Sequence, residues 1–144
     1  MTRTWENEDS ERVRPFGEKV ALLVEILSTY PRARWMLARH GLPATVERLR
    51  AVGPGERRAA WGIEEQRAAA RLGILVRRVL DPLPFDSRCL MQSLVLTTML
   101  ARRGIESDVV IGVKTEPEFT AHAWVESDGV ALLPPGDYGR VVAV

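Results

Sequence analysis

The sequence predicts an α+β fold, a helical N-terminal half packed on a small antiparallel sheet, and three observations carry that reading. Apolar residues recur at three- and four-residue intervals as far as Gly104, and beyond it they alternate, the periods of helix and strand respectively. The stretch from Leu90 to Leu100 is apolar on most sides and belongs inside a protein. Helices first and strands afterwards is the α+β order. A chain of 144 residues, 46% hydrophobic and 27% charged, fits a single domain with one core. We expect residues 1–14, MTRTWENEDSERVR, to form a ragged polar terminus, 15–80 a helical region, and 81–144 the region that carries the sheet.

The first helix is expected from Pro15 to Tyr30, with Phe16, Val20, Leu23, Val24 and Leu27 as its apolar stripe and Pro31 as its end. A second, Arg32 to Arg39, should stop at His40-Gly41, with Gly41 left-handed at the C′ position and His40 facing the helix dipole. Pro43 can open a third through Val46 and Leu49, and Val52-Gly53-Pro54-Gly55 then forces a turn. The longest helix should run from about Glu56 to Leu80 on a stripe of Ala60, Ile63, Ala70, Ile74 and Val79, weakened by Gly62 and Gly73. After Asp81-Pro82 and the stiff Leu83-Pro84-Phe85, Asp86 or Ser87 can cap a helix that places Cys89 in its first turn. Arg102, Arg103 and Gly104 mark its end.

Val109–Val113 and Thr120–Glu126 read as strands. Asp128-Gly129 is a hairpin signal, Val130 to Leu133 a short third strand, and Arg140 to Val144 a final edge strand beyond Pro134-Pro135-Gly136.

The formal net charge is +1, unevenly spread: −2 over residues 1–31, +8 over 32–103 and −5 over 104–144. The basic middle is either a solvated helix face or a surface for an acidic peptide or partner. Aromatic interleaving and a nucleic-acid module are both missing, which argues against nucleic acid. No segment approaches the roughly 18 apolar residues of a membrane span, and no signal peptide is visible. One cysteine cannot form an internal disulfide, so the expected location is the cytoplasm. Two histidines and one cysteine without ligand spacing give no metal site, no GxxxxGK[ST] pattern occurs, and no cofactor is expected.

Cys89 and His122 carry the chemistry, 33 residues apart. The positive end of a helix favours the thiolate form that makes a cysteine nucleophilic. Strand alternation gives His122, Trp124 and Glu126 one face and Ala121, Ala123 and Val125 the other. A sheet packed on the helix of Cys89 can bring the imidazole to the sulfur as general base. Gln92, one turn along, is a candidate oxyanion donor beside the Cys89 amide, and Trp124 a candidate for packing beside the site.

The run of Cys-Leu-x-x-Ser-Leu, Arg-Arg-Gly-Ile and His-Ala-Trp-Val-Glu resembles the transglutaminase-like cysteine peptidases, and within them the lasso-peptide B2 leader peptidases. The resemblance implies a transglutaminase-like, papain-like core over 81–144 with its nucleophile at a helix N-terminus. It also implies an aspartate as third catalytic residue, on the strand after the histidine strand. Val130 to Pro134 contain no acid, so Asp137 is preferred over Asp128 on geometric grounds, and a Cys–His dyad stays open. The resemblance further implies cleavage of a leader from a ribosomally made precursor peptide through a thioester, alongside a leader-binding B1 protein and a lasso cyclase. Acyl transfer to an amine on the same scaffold, and a peptide-binding module without chemistry, are the competing expectations.

Overall fold

A helix apolar on most sides needs cover, and the computed structural model, which describes residues 16–53, 62–83 and 88–144, supplies it. Four helices, α1 (Phe16–His40), α2 (Leu42–Arg50), α3 (Ile63–Leu80) and α4 (Arg88–Arg102), precede four strands, β1 (Asp108–Lys114), β2 (Thr120–Ser127), β3 (Val130–Ala131) and β4 (Gly139–Ala143). The strands form one antiparallel sheet in the order β3-β2-β1-β4, the α+β arrangement expected. Every residue of α4 from Met91 to Ala101 is buried, with the other three helices, β1 and β2 around it.

The core divides along α4. Leu96, Met99 and Leu100 join Leu22 and Ile26 of α1, Leu72 and Val76 of α3, and Trp124 and Val125 of β2. Met91 and Leu94, nearer the start of α4, meet Ala33 and Met36 of α1, Val46 and Leu49 of α2, and Val109 of β1. Arg50, at the end of α2, donates to the carbonyls of Ser107 and Val144 and pairs with Asp108, so that one guanidinium joins the helical layer to the sheet.

The structure corrects the helix expected to stop at Pro31. α1 is a single helix through that residue, and its buried positions Leu22, Ile26, Thr29, Ala33 and Met36 step by four and three across it without interruption. An interior proline costs about 3 kcal/mol. Here Pro31 is on the exposed side, and both halves of the stripe are buried against the same helix, which offsets that cost. The buried face is also not the expected one: Phe16, Val20, Leu23, Val24 and Leu27 are all exposed. The first half of α1 is apolar on two faces, and periodicity alone does not say which is covered.

The same shift occurs in α3, where Ala69, Leu72, Gly73, Val76 and Leu80 are buried while Ile63 and Ile74 face outward. Gly73 explains the choice. A Cβ there would lie 2.3 Å from the Leu132 carbonyl oxygen, so glycine lets α3 approach the chain after β3 more closely than any other residue could. Gly41, Gly104 and the pair Asp128-Gly129 take the positive φ that their turn positions predict. The third strand is shorter than expected, pairing only at Val130 and Ala131. The helix expected from about Glu56 to Leu80 does not run through Gly62, which is extended and caps α3 at Ile63, as suits a residue with poor helix propensity; residues 56–61 and the Asp86 or Ser87 cap lie outside the described residues. Among the described residues, no helix is long and apolar enough to cross a membrane.

Glu25 fixes the far end of α4 to α1, accepting from Arg102 at 3.2 Å and Arg103 at 2.9 Å. The hydrogen bond from Arg103, aided by both positive charges and opposed by partial burial, holds its carboxyl below the usual glutamate value. A carboxyl depressed in the folded state stabilises fully above its unfolded pKa and loses that contribution as pH falls through the folded value. Glu25→Gln should therefore lower stability at neutral pH by about 1 kcal/mol, with the gap closing below about pH 4. Urea unfolding of both proteins across that range checks it, and a gap independent of pH would remove the ion-pair explanation.

Candidate active site

Cys89 is the second residue of α4, and exposure falls off quickly along this first turn: Arg88 is exposed, Cys89 and Leu90 are half-buried, and Met91 onward is buried. The thiol thus sits at the point where the buried helix reaches the surface. The Ser93 hydroxyl donates to the Cys89 carbonyl at 2.7 Å, which keeps that polar side chain satisfied inside the core.

His122 lies in β2 opposite Gly112 of β1. Its ring packs against Trp124, with centroids 5.8 Å apart and planes 27° from parallel, and against Tyr138, 5.0 Å away. A Cβ on Gly112 would come within 2.8 Å of the Trp124 ring, so the bare backbone there makes room for the indole. The indole N–H donates to Glu126 at 2.9 Å, and Arg140 of β4 holds the other Glu126 oxygen at 2.8 Å. A row of side chains across the sheet therefore fixes the ring against which the imidazole rests.

The imidazole Nε2 lies 2.7 Å from the Pro134 carbonyl oxygen. A carbonyl only accepts, so the proton of the neutral ring is on Nε2 and Nδ1 keeps the basic lone pair. Pro134 has φ set by its own ring and ψ restricted by Pro135, which gives the carbonyl a defined direction.

Cys89 and His122 line one cavity of about 880 Å³, together with Gln92, Ala121 and Tyr138. No hydrogen bond joins the thiol to the imidazole in this structure, although both line the cavity. Of the other expected site residues, Gln92 lines the cavity with its amide nitrogen donating to Asp81 at 2.6 Å. Trp124 is buried in the core and supports His122 from behind instead of fronting the cavity.

Asp137 does not meet His122. Its exposed carboxylate pairs with Lys114, whose hydrogen bond holds that carboxyl below the ordinary aspartate range. Asp128 is exposed in the β2–β3 turn, at φ 51°. The Pro134 carbonyl takes the position beside the imidazole where the family resemblance implies an acid. Asp81, Tyr138 and Pro134 also line the cavity and are not among the residues the sequence points to. Pro134-Pro135 was visible only as a strand breaker, and nothing in the sequence signals that a main-chain oxygen faces the histidine. Among the described residues, no group of three or more His, Cys, Asp or Glu side chains could hold a metal.

The family model of the transglutaminase-like superfamily matches residues 31–142, which include the cavity, the thiol and the imidazole. The chain belongs to that superfamily. A shorter stretch of 48 residues is 47% identical to the Microcin J25-processing protein McjB of Escherichia coli, covering 33% of this chain. That stretch spans 23% of the length of the relative. No solved structure matches. A transglutaminase-like chain with a half-buried thiol and an imidazole on one cavity has the parts for acyl chemistry on sulfur, the reaction type shared by cysteine peptidases and acyltransferases.

Nitrogen-15 NMR of the neutral protein should show the His122 ring protonated at Nε2 and unprotonated at Nδ1. The reverse tautomer would mean that the Pro134 contact is not a hydrogen bond.

Proposed function

We propose that this chain is a cysteine peptidase that removes the leader from a ribosomally made lasso precursor peptide. The observation that carries the reading is the shared cavity of Cys89 and His122, with the imidazole held so that Nδ1 is its base. The partial match to a protein named for processing microcin J25 supports a peptide as substrate.

In this reading the Cys89 sulfur gives its proton to His122 Nδ1 and attacks the scissile carbonyl, forming a C–S bond. Donors at the first turn of α4 stabilise the oxyanion, with the Cys89 amide as the main-chain candidate and Gln92 as the side-chain one. The imidazolium returns the proton to the departing amine as the C–N bond breaks. Water, deprotonated by His122, then cleaves the thioester and frees the thiol. A leader-binding B1 protein and a lasso cyclase would act on the same peptide, in the cytoplasm, where a lone thiol stays reduced.

Cys89→Ala and His122→Ala should each abolish cleavage of a leader-bearing precursor, read by mass spectrometry, with circular dichroism unchanged. Full cleavage by either variant overturns the assignment. Adding a primary amine separates hydrolysis from transfer: free acid is the expected product, and an amide adduct in its place would make the enzyme an acyltransferase. Because its carboxylate pairs with Lys114, Asp137→Asn should change turnover by no more than about threefold, as for an exposed ion pair. A loss near the ~10⁴-fold that follows mutation of a triad carboxylate would restore Asp137 to the site.

A further inference from the structure

The catalytic cavity does not end at the catalytic pair. It shares Arg77, Asp81, Leu133 and Pro134 with a second cavity of about 330 Å³. That one shares Ile74 and Arg78 with a third of about 410 Å³, bounded on its far side by Lys19 and Leu23 of α1 and by Arg71. The three form a track along one face of α3, where Arg71, Ile74, Arg78 and Asp81 succeed one another at helical intervals of three and four.

The lining has a definite chemistry. Ile74 and Leu23 are 52% and 42% exposed, so the apolar floor is open to solvent. Lys19, Arg71 and Arg78 are exposed and make no ion pair with a described residue. Arg77 pairs loosely with Asp81 at 3.6 Å, and Arg88 stands at the catalytic end. Among the described lining residues the excess is positive throughout, which accounts in part for the basic bias of the middle of the chain.

We infer that this track binds the substrate peptide on one side of its scissile bond, as an extended run of alternating acidic and apolar residues. From Arg71 to Asp81 the helix rises about 15 Å, the length of roughly five extended residues. Continuity with the cavity of Cys89 favours the substrate itself as occupant, and the charge of the rim favours acidic side chains beside the apolar ones. The inference rests on the peptidase reading for its link to cleavage, but binding can be tested without it.

The test uses the full chain carrying Cys89→Ala, so that no cleavage intervenes, and fluorescein-labelled peptides of about ten residues, one rich in Glu and Leu and one rich in Lys and Leu. By fluorescence anisotropy the Glu-Leu peptide should bind more tightly, and added salt should weaken it. Arg71→Glu with Arg78→Glu should weaken it about tenfold or more, and Ile74→Asp should weaken it as well. Equal binding of both peptides, or undiminished binding by the double variant, overturns the track. So does sedimentation as a dimer that Ile74→Asp dissolves, since the groove would then join two copies of this chain. Iodoacetamide labelling of the Cys89 thiol in the wild-type background reports whether these substitutions have disturbed the site. Binding as described with no cleavage by wild type would leave the track standing and remove the peptidase reading instead.

Discussion

The burial of α4 on all sides is the constraint from which the rest of the molecule follows. A helix that is apolar on most sides must be enclosed by other elements, and three helices and two strands are arranged to do this. Enclosure leaves the helix two ways out. One end is tied to α1 through Glu25 and the paired arginines. The other opens at Arg88 and Cys89, so the same burial that stabilises the core also leaves the thiol at the turn where the helix reaches the surface.

The sheet positions the candidate imidazole by packing more than by charge. His122 is held by two aromatic neighbours and one main-chain acceptor, and the Glu126 carboxylate acts at one remove by fixing the Trp124 indole. An arrangement of this kind orients an imidazole through shape and a neutral hydrogen bond. Among the described residues, the ring's hydrogen-bond partner is a neutral carbonyl and not the carboxylate of a triad.

Much of this was legible in the chain. The change of period at Gly104, the all-round apolar run of α4 and the Asp128-Gly129 turn sufficed for the α+β arrangement, because each depends on local residues alone. The faces of α1 and α3 were misread where apolar residues lie on both sides of a helix. In α3 the deciding contact, Gly73 against the Leu132 carbonyl, joins positions that are distant in sequence. Pro31 was misread because propensity records the cost of an interior proline and not the burial on either side of it. In the site, Cys89 and His122 were legible as side chains with chemical character. Asp81 became visible only through its contact with Gln92, and the acceptor at Pro134 belongs to the backbone, which every residue carries alike.

That last feature has a bearing on how such a site can change. A carboxylate partner is lost by one substitution, whereas a peptide oxygen survives any replacement of the side chain that bears it. Heritable variation can therefore reach the histidine's partner only by redirecting the loop, and the paired prolines at 134 and 135 make the loop's path the trait that is inherited.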